Sequence, residues 1–170
     1  IFKEYDDAIK LAQMILHRYD YNITNITTAE EEECPVFWID MAMLYEHYVL
    51  GLLREAYGSL IHYQERGHTG YPDFVCYSPQ VVLDTKYIPR FYQGSIDTYI
   101  VRQLSGYSRD KWIFPTQPDA NIPCVIISPI EGDEENPFKN KPLEDFLQKE
   151  DRHLWNFHRI AVPLPMLNEN

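Results

Sequence analysis

Residues 70–86 read GYPDFVCYSPQVVLDTK, and the way this stretch folds decides the rest. Two runs rich in β-branched and aromatic residues, 74–77 and 81–83, flank Ser78-Pro79-Gln80, so they form the arms of a β-hairpin. Strand side chains alternate, which points Asp84 and Lys86 one way and Leu83, Thr85 and Tyr87 the other. Pro79 suits the first central position of a tight turn, and a Pro79-Gln80 loop then sets Asp73 opposite Lys86 with Asp84 diagonal to it. A Ser78-Pro79 loop sets Asp73 directly opposite Asp84 instead. In either register two carboxylates and an ammonium crowd one face, with Cβ atoms roughly 5–8 Å apart. Between apolar strands that crowding is costly unless a cation sits among the acids.

Upstream of the hairpin, Asp40 is a candidate N-cap for a helix running to about Tyr57, with Gly58 as its stop signal. Its apolar stripe is Ala42, Met43, Val49, Leu50, Leu53 and Tyr57, and Glu46 falls inside it. A lone Glu in a stripe reads first as a structural ion pair or a snorkelling side chain. The acidic hairpin face shifts that weighting toward a role in a shared site. Residues 60–64 form a short strand ending in the polar turn 65–68. Downstream, 87–95 is a connecting loop, and Asp97 or Ser95 caps a second helix that carries Tyr99, Ile100, Leu104 and Tyr107 inward and ends near Arg109. Gln103 shares that inward face, with Tyr107 one turn on. Residues 122–128 are a buried strand closed by Pro129, and the intervening helix implies a right-handed parallel crossover.

The flanks are plainer. Residues 5–19 place Ala8, Leu11, Ala12, Ile15 and Tyr19 on one helical stripe, and 22–34 is a polar loop. Residues 131–142 are a charged loop, 143–149 a short helix and 159–163 a last edge strand.

A chain of 170 residues, 45% of them apolar, fits one folded domain spanning 1–170. No apolar run approaches the ~20 residues of a membrane span and no signal sequence appears, so the expected location is the cytoplasm. Because the sequence starts at Ile1 rather than Met, the expectation is a piece of a longer chain, with a processed N-terminus as the other reading. Cys34, Cys76 and Cys124 lack the paired spacing of a zinc or iron–sulfur site and are expected as reduced thiols. The formal charge of −11 argues against a broad basic surface for nucleic acid. There is no phosphate-binding GxxxxGK[ST] loop, so any nucleotide-hydrolysing activity belongs to another chain.

The inward-facing polar groups are Glu46, Asp73, Asp84, Lys86, Gln103 and Tyr107. Clustered carboxylates on apolar elements suit Mg²⁺ or Mn²⁺, which take oxygen ligands and keep waters for a phosphate substrate. The backbone carbonyl of Thr85 offers one more oxygen. Such an ion can hold a phosphodiester oxygen and activate a water, while Lys86 stabilises the charge that builds on phosphorus. Metal-assisted phosphodiester hydrolysis is the reaction these parts serve.

Pro72-Asp73 followed by Asp84-Thr85-Lys86 resembles the PD-(D/E)xK nuclease signature, and the order of elements is similar to that superfamily's restriction-endonuclease-like αβββαβ core, an α/β fold whose mixed sheet is flanked by helices. Gly70-x-x-Asp73 and Gln103-x-x-x-Tyr107 resemble the RecB-like branch. More narrowly, the helix from Asp40-Met41 to Glu46-His47, the strand from Leu83 to Tyr87 and the helix from Gln103 to Tyr107 resemble the C-terminal nuclease domain of the McrC family, with the core at about 38–128. The resemblance implies a Mg²⁺-dependent DNA endonuclease, the cleavage subunit of a modification-dependent restriction system, working with a GTP-hydrolysing AAA+ motor. It implies Asp73 and Asp84 as metal ligands beside the Thr85 carbonyl already noted, Glu46 as the helix acid that binds the metal or orients its water, Lys86 as the catalytic lysine, and Gln103 and Tyr107 orienting Lys86, the scissile strand or the backbone of the site. Two other readings stay open: a stand-alone repair exonuclease of the RecB-like kind, and a catalytically silent scaffold that binds the motor.

Overall fold

The computed structural model describes residues 39–88, 95–116, 122–132 and 136–164; the helix expected at 5–19, the loop at 22–34 and Cys34 lie outside them. The described elements run α1 (Met41–Tyr57), β1 (Ile61–Tyr63), β2 (Phe74–Tyr77), β3 (Gln80–Thr85), α2 (Thr98–Tyr107), β4 (Cys124–Glu131) and β5 (Phe157–Leu164). The strands form one sheet in the order β1-β2-β3-β4-β5. The first three are antiparallel neighbours, whereas β4 runs parallel to β3 and β5 parallel to β4. A chain entering a parallel neighbour must first cross the sheet, and α2 is that crossover. The result is the expected α/β architecture, a mixed sheet with helices on its faces, and among the described residues no helix is long and apolar enough to cross a membrane.

Alternation along the strands divides the core. Phe74, Cys76, Val81 and Leu83 pack with Val49, Leu50 and Leu53 of α1, while Val75 and Val82 pack with Ile100, Leu104 and Tyr107 of α2. β3 is therefore covered on both sides, and every residue from Val81 to Thr85 is buried. Its last positions have no solvated face to offer a charge.

Both helix starts are as read. The Asp40 carboxylate accepts hydrogen bonds from the N–H groups of Ala42 at 2.9 Å and Met43 at 3.1 Å, and Asp97 accepts from Tyr99 N–H at 2.7 Å. Gly58 ends α1 at φ +57°, a conformation that suits glycine.

Several expectations need correction. The hairpin loop is Ser78-Pro79, since Tyr77 pairs with Gln80 and Phe74 with Leu83. Pro79 thus sits second in the turn, a position open to proline when the preceding bond is cis, as it is here. The buried face of α1 begins at Tyr45, leaving Ala42 and Met43 exposed, because only residues beyond the first turn reach the sheet. On α2 the stripe is Ile100, Leu104 and Tyr107, and Tyr99 is 70% exposed, one helical step off that line. β4 runs on through Pro129 to Glu131. Past Ile127 it keeps only β5 as a neighbour, and a missing N–H is tolerated at such a half-edge. Residues Leu143–Leu147 form a 3₁₀ turn, and the last edge strand is longer than read.

The cap supplies a direct check of this framework. Asp40→Ala should lower unfolding stability by about 1 kcal/mol and Asp40→Asn by much less, as read by urea denaturation.

Candidate active site

Continuing the observed register one residue beyond the Phe74–Leu83 pair sets Asp73 across from Asp84. Asp84 is 1% exposed. One of its oxygens, Oδ2, is buried without a hydrogen-bond partner, and the Lys86 ammonium rests against it as an ion pair. Burial, then the neighbouring Asp73 charge, pushes the Asp84 carboxyl up to about 7, with Lys86 pulling the other way. Asp73 is also raised, chiefly by burial, although Thr85 opposes this with its N–H at 2.7 Å and its hydroxyl at 2.6 Å from Asp73 Oδ2. Thr85 thus turns its hydroxyl toward the acids, whereas alternation alone points it away.

Two other elements close in. From α1, Glu46 is half-buried and accepts from Gln64 Nε2 at 3.0 Å; its charge adds to the upward shifts of both aspartates. From α2, Gln103 Nε2 donates to the Tyr107 hydroxyl at 3.0 Å. That phenol feels the charges of Asp84, Asp73 and Lys86, though burial is what chiefly raises it. All six sequence candidates therefore lie in one electrostatic neighbourhood, but on unequal terms. Asp73, Asp84 and Lys86 form its centre. Glu46 stands off across the α1 face, and among the described residues no three His, Cys, Asp or Glu side chains gather as a ready-made metal-binding group.

The loop between β1 and β2 fixes Asp73. Gln64 N–H donates to the Asp73 carbonyl at 2.9 Å, which closes the loop at its base, and Gly67 N–H donates to the Gly70 carbonyl at 2.8 Å within it. Gly70 has φ +139°, and a Cβ there would stand 3.1 Å from the Tyr107 hydroxyl. Only glycine lets the loop backbone lie against that phenol. Gln64 is a participant that sequence reasoning missed. It stands at the end of a predicted strand with φ +49°, and nothing local in the sequence marks a Gln for holding a Glu on another element.

A hard divalent cation fits this donor set. A buried carboxylate in contact with an ammonium and a second carboxylate opposite it are the one-or-two-carboxylate provision that Mg²⁺ uses when waters and a phosphate complete its shell.

The sequence pattern of the McrBC 5-methylcytosine restriction system component family matches residues 1–103. The chain belongs to that family. No curated protein and no solved structure matches it. The McrBC match takes in Glu46, Asp73, Asp84, Lys86 and Gln103, and ends before Tyr107 and the β4 and β5 strands.

A raised carboxyl makes stability depend on pH with a definite sign. The folded state binds the Asp84 proton more tightly than the unfolded chain, so its contribution is full below about pH 3.8 and is lost as pH rises through about 7. In EDTA, Asp84→Asn should melt close to wild type at about pH 4 and above it at about pH 8. Parallel melting curves across that range would show that Asp84 carries no such strain.

Proposed function

We propose that this restriction-system component is its DNA-cleaving subunit, a Mg²⁺- or Mn²⁺-dependent endonuclease that hydrolyses phosphodiester bonds. The observation that carries the reading is the Asp84 carboxylate, buried at the end of the central strand, opposite Asp73 and in contact with Lys86. Burying one acid with a half-buried second acid opposite it costs stability, whereas it is what a cation site requires.

In this reading Asp73, Asp84 and the Thr85 carbonyl hold the ion, which when bound lowers the pKa of an attacking water and screens the scissile phosphate. The Lys86 ammonium sits at the same carboxylate and supplies positive charge where the phosphoryl oxygens gain negative charge. Glu46, steadied by Gln64, orients water at the open side. Gln103 and Tyr107 hold the Gly70 backbone, and with it the approach of Asp73.

A partner belongs to the same proposal. A chain at −11 neutralises few phosphates, so its own hold on DNA is weak at physiological salt. Delivery by a GTP-hydrolysing AAA+ motor answers that weakness, and membership of a restriction-system family supports it.

Plasmid nicking with Mg²⁺ or Mn²⁺, with and without the motor subunit and GTP, tests the whole. Wild type should nick poorly alone and efficiently with the motor, and Asp84→Asn should lose at least a hundredfold, on the order seen when a charge-stabilising group is removed. Wild-type rates from Asp84→Asn would sink the assignment; fast cleavage without motor or GTP would favour a stand-alone nuclease. Tyr107→Phe separates site from core. It keeps the ring and forfeits one hydrogen bond, so a packing role costs only about 1 kcal/mol of stability. We expect a marked fall in nicking, and equal turnover would return Tyr107 to the core.

A further inference from the structure

The acidic balance of the chain conceals a local exception beside the site. The loop between β1 and β2 and the turn after α2 are knitted together through Asp110, whose carboxylate accepts from Thr69 N–H at 2.7 Å, the Thr69 hydroxyl at 2.9 Å and Trp112 N–H at 2.9 Å. Gly67 is packed so closely that a Cβ would meet Asp110 Oδ2 and Ile113 Cδ1, each at 2.7 Å. The two segments are therefore joined into one surface. Asp110 is buried, and although burial opposes it, the hydrogen bonds from Thr69 and Trp112 hold its carboxyl below the usual range.

What this surface exposes is cationic and aromatic. Arg66 and His68 stand on the loop, Arg109 and Lys111 on the turn, all exposed. Among the described residues none of the four is in an ion pair, while the adjacent acid, Glu65, is engaged with His62 at 3.1 Å. Trp112 is 72% exposed and Tyr71 58%. The same loop reaches the candidate site, since Gly70 lies on Tyr107 and Asp73 closes the loop's base.

We propose that these two segments form a nucleic-acid-binding surface, on which Arg66, Arg109 and Lys111 take backbone phosphates and Trp112 and Tyr71 stack on bases of a strand led toward Asp73 and Asp84. Cations left unneutralised beside exposed aromatic faces are the combination that single-stranded or locally opened nucleic acid uses. A protein interface would present an apolar centre depleted of Lys. The proposal rests on the nuclease reading for its orientation, but its test does not.

The test is fluorescence anisotropy of the full chain with labelled single-stranded and duplex oligonucleotides, in EDTA so that nothing is cut, across a salt series. Replacing Arg66, Arg109 and Lys111 together by Ala should flatten the log K against log salt slope on duplex by about 2.7, three contacts at about 0.9 each, equivalent to about 40-fold in affinity between about 50 and about 200 mM salt. Trp112→Ala should weaken single-strand binding about fivefold or more, with less effect on duplex. A control pair, Lys149→Ala with Arg152→Ala, should leave the slope near wild type. Gln at the three cationic positions repeats the measurement if the alanine variant melts early. An unchanged slope in the triple variant, or an equal loss in the control pair, overturns the surface. Lost binding to the motor subunit with DNA binding intact overturns it too, in favour of a protein-docking role. A chain that binds through this surface yet never nicks would retire the nuclease reading alone, and one that nicks while the triple variant keeps its slope would retire this surface alone.

Discussion

One carboxylate at the end of a strand covered on both faces constrains the rest of this molecule. Asp84 cannot turn to water, because Leu83 beside it packs with α1 and Val82, on its own side of β3, packs with α2. The residue opposite it is a second carboxylate, which adds to the cost of ionising it. Lys86 offsets part of this, two residues on and on the same face. A fold selected for stability alone would place a hydrophobic residue at position 84, since a buried ion pair is often no better than a well-packed apolar group. In the proposed reading, that cost is offset when a cation binds between the acids.

The surrounding structure serves to hold the second acid against the first. Asp73 precedes β2 and so lacks the regular ladder to fix its side chain. It is held instead by Thr85 through two hydrogen bonds, by Gln64 at its backbone, and by the seating of Gly70 on Tyr107. The Thr85 bonds stabilise the charged form of Asp73 even as burial disfavours it. Both carboxyls are raised, Asp73 against the pull of these bonds and Asp84 against that of Lys86.

The fold was legible because its signals are local. Asp40 and Asp97 declare helix starts, the β-branched run of 81–83 declares a strand, and a helix between two strands forces a parallel pairing. The hairpin register was harder, because Pro79 is compatible with either of two adjacent turn positions. Where Tyr99 and Met43 point was also out of reach, since a stripe read from periodicity has no knowledge of where the sheet ends. Within the candidate site, Asp73, Asp84 and Lys86 follow from alternation on one hairpin. Glu46 was legible as an anomaly in a stripe, but its distance from the aspartates was not, because it depends on how α1 lies over the sheet. Gln64 and Thr85 act through hydrogen bonds across elements, which no spacing encodes.

The site is also divided unevenly along the chain, and the division bears on what the family match can carry. Everything that supplies an acid lies within residues 1–103, yet the backbone that positions Lys86 is fixed from outside that span, through its N–H to the Ile127 carbonyl at 2.9 Å. The same holds for Tyr107, and for the 109–113 turn tied by Asp110 to the loop before Asp73. Residues within the matched span thus supply the acids of the candidate site, and residues beyond it supply part of its alignment. A parallel strand added after a crossover helix is what makes this possible: it brings β4 alongside β3 and α2 over the face of Asp84 in one step of topology. The charges of Asp84 and Lys86 are then oriented by residues contributed from the opposite end of the fold.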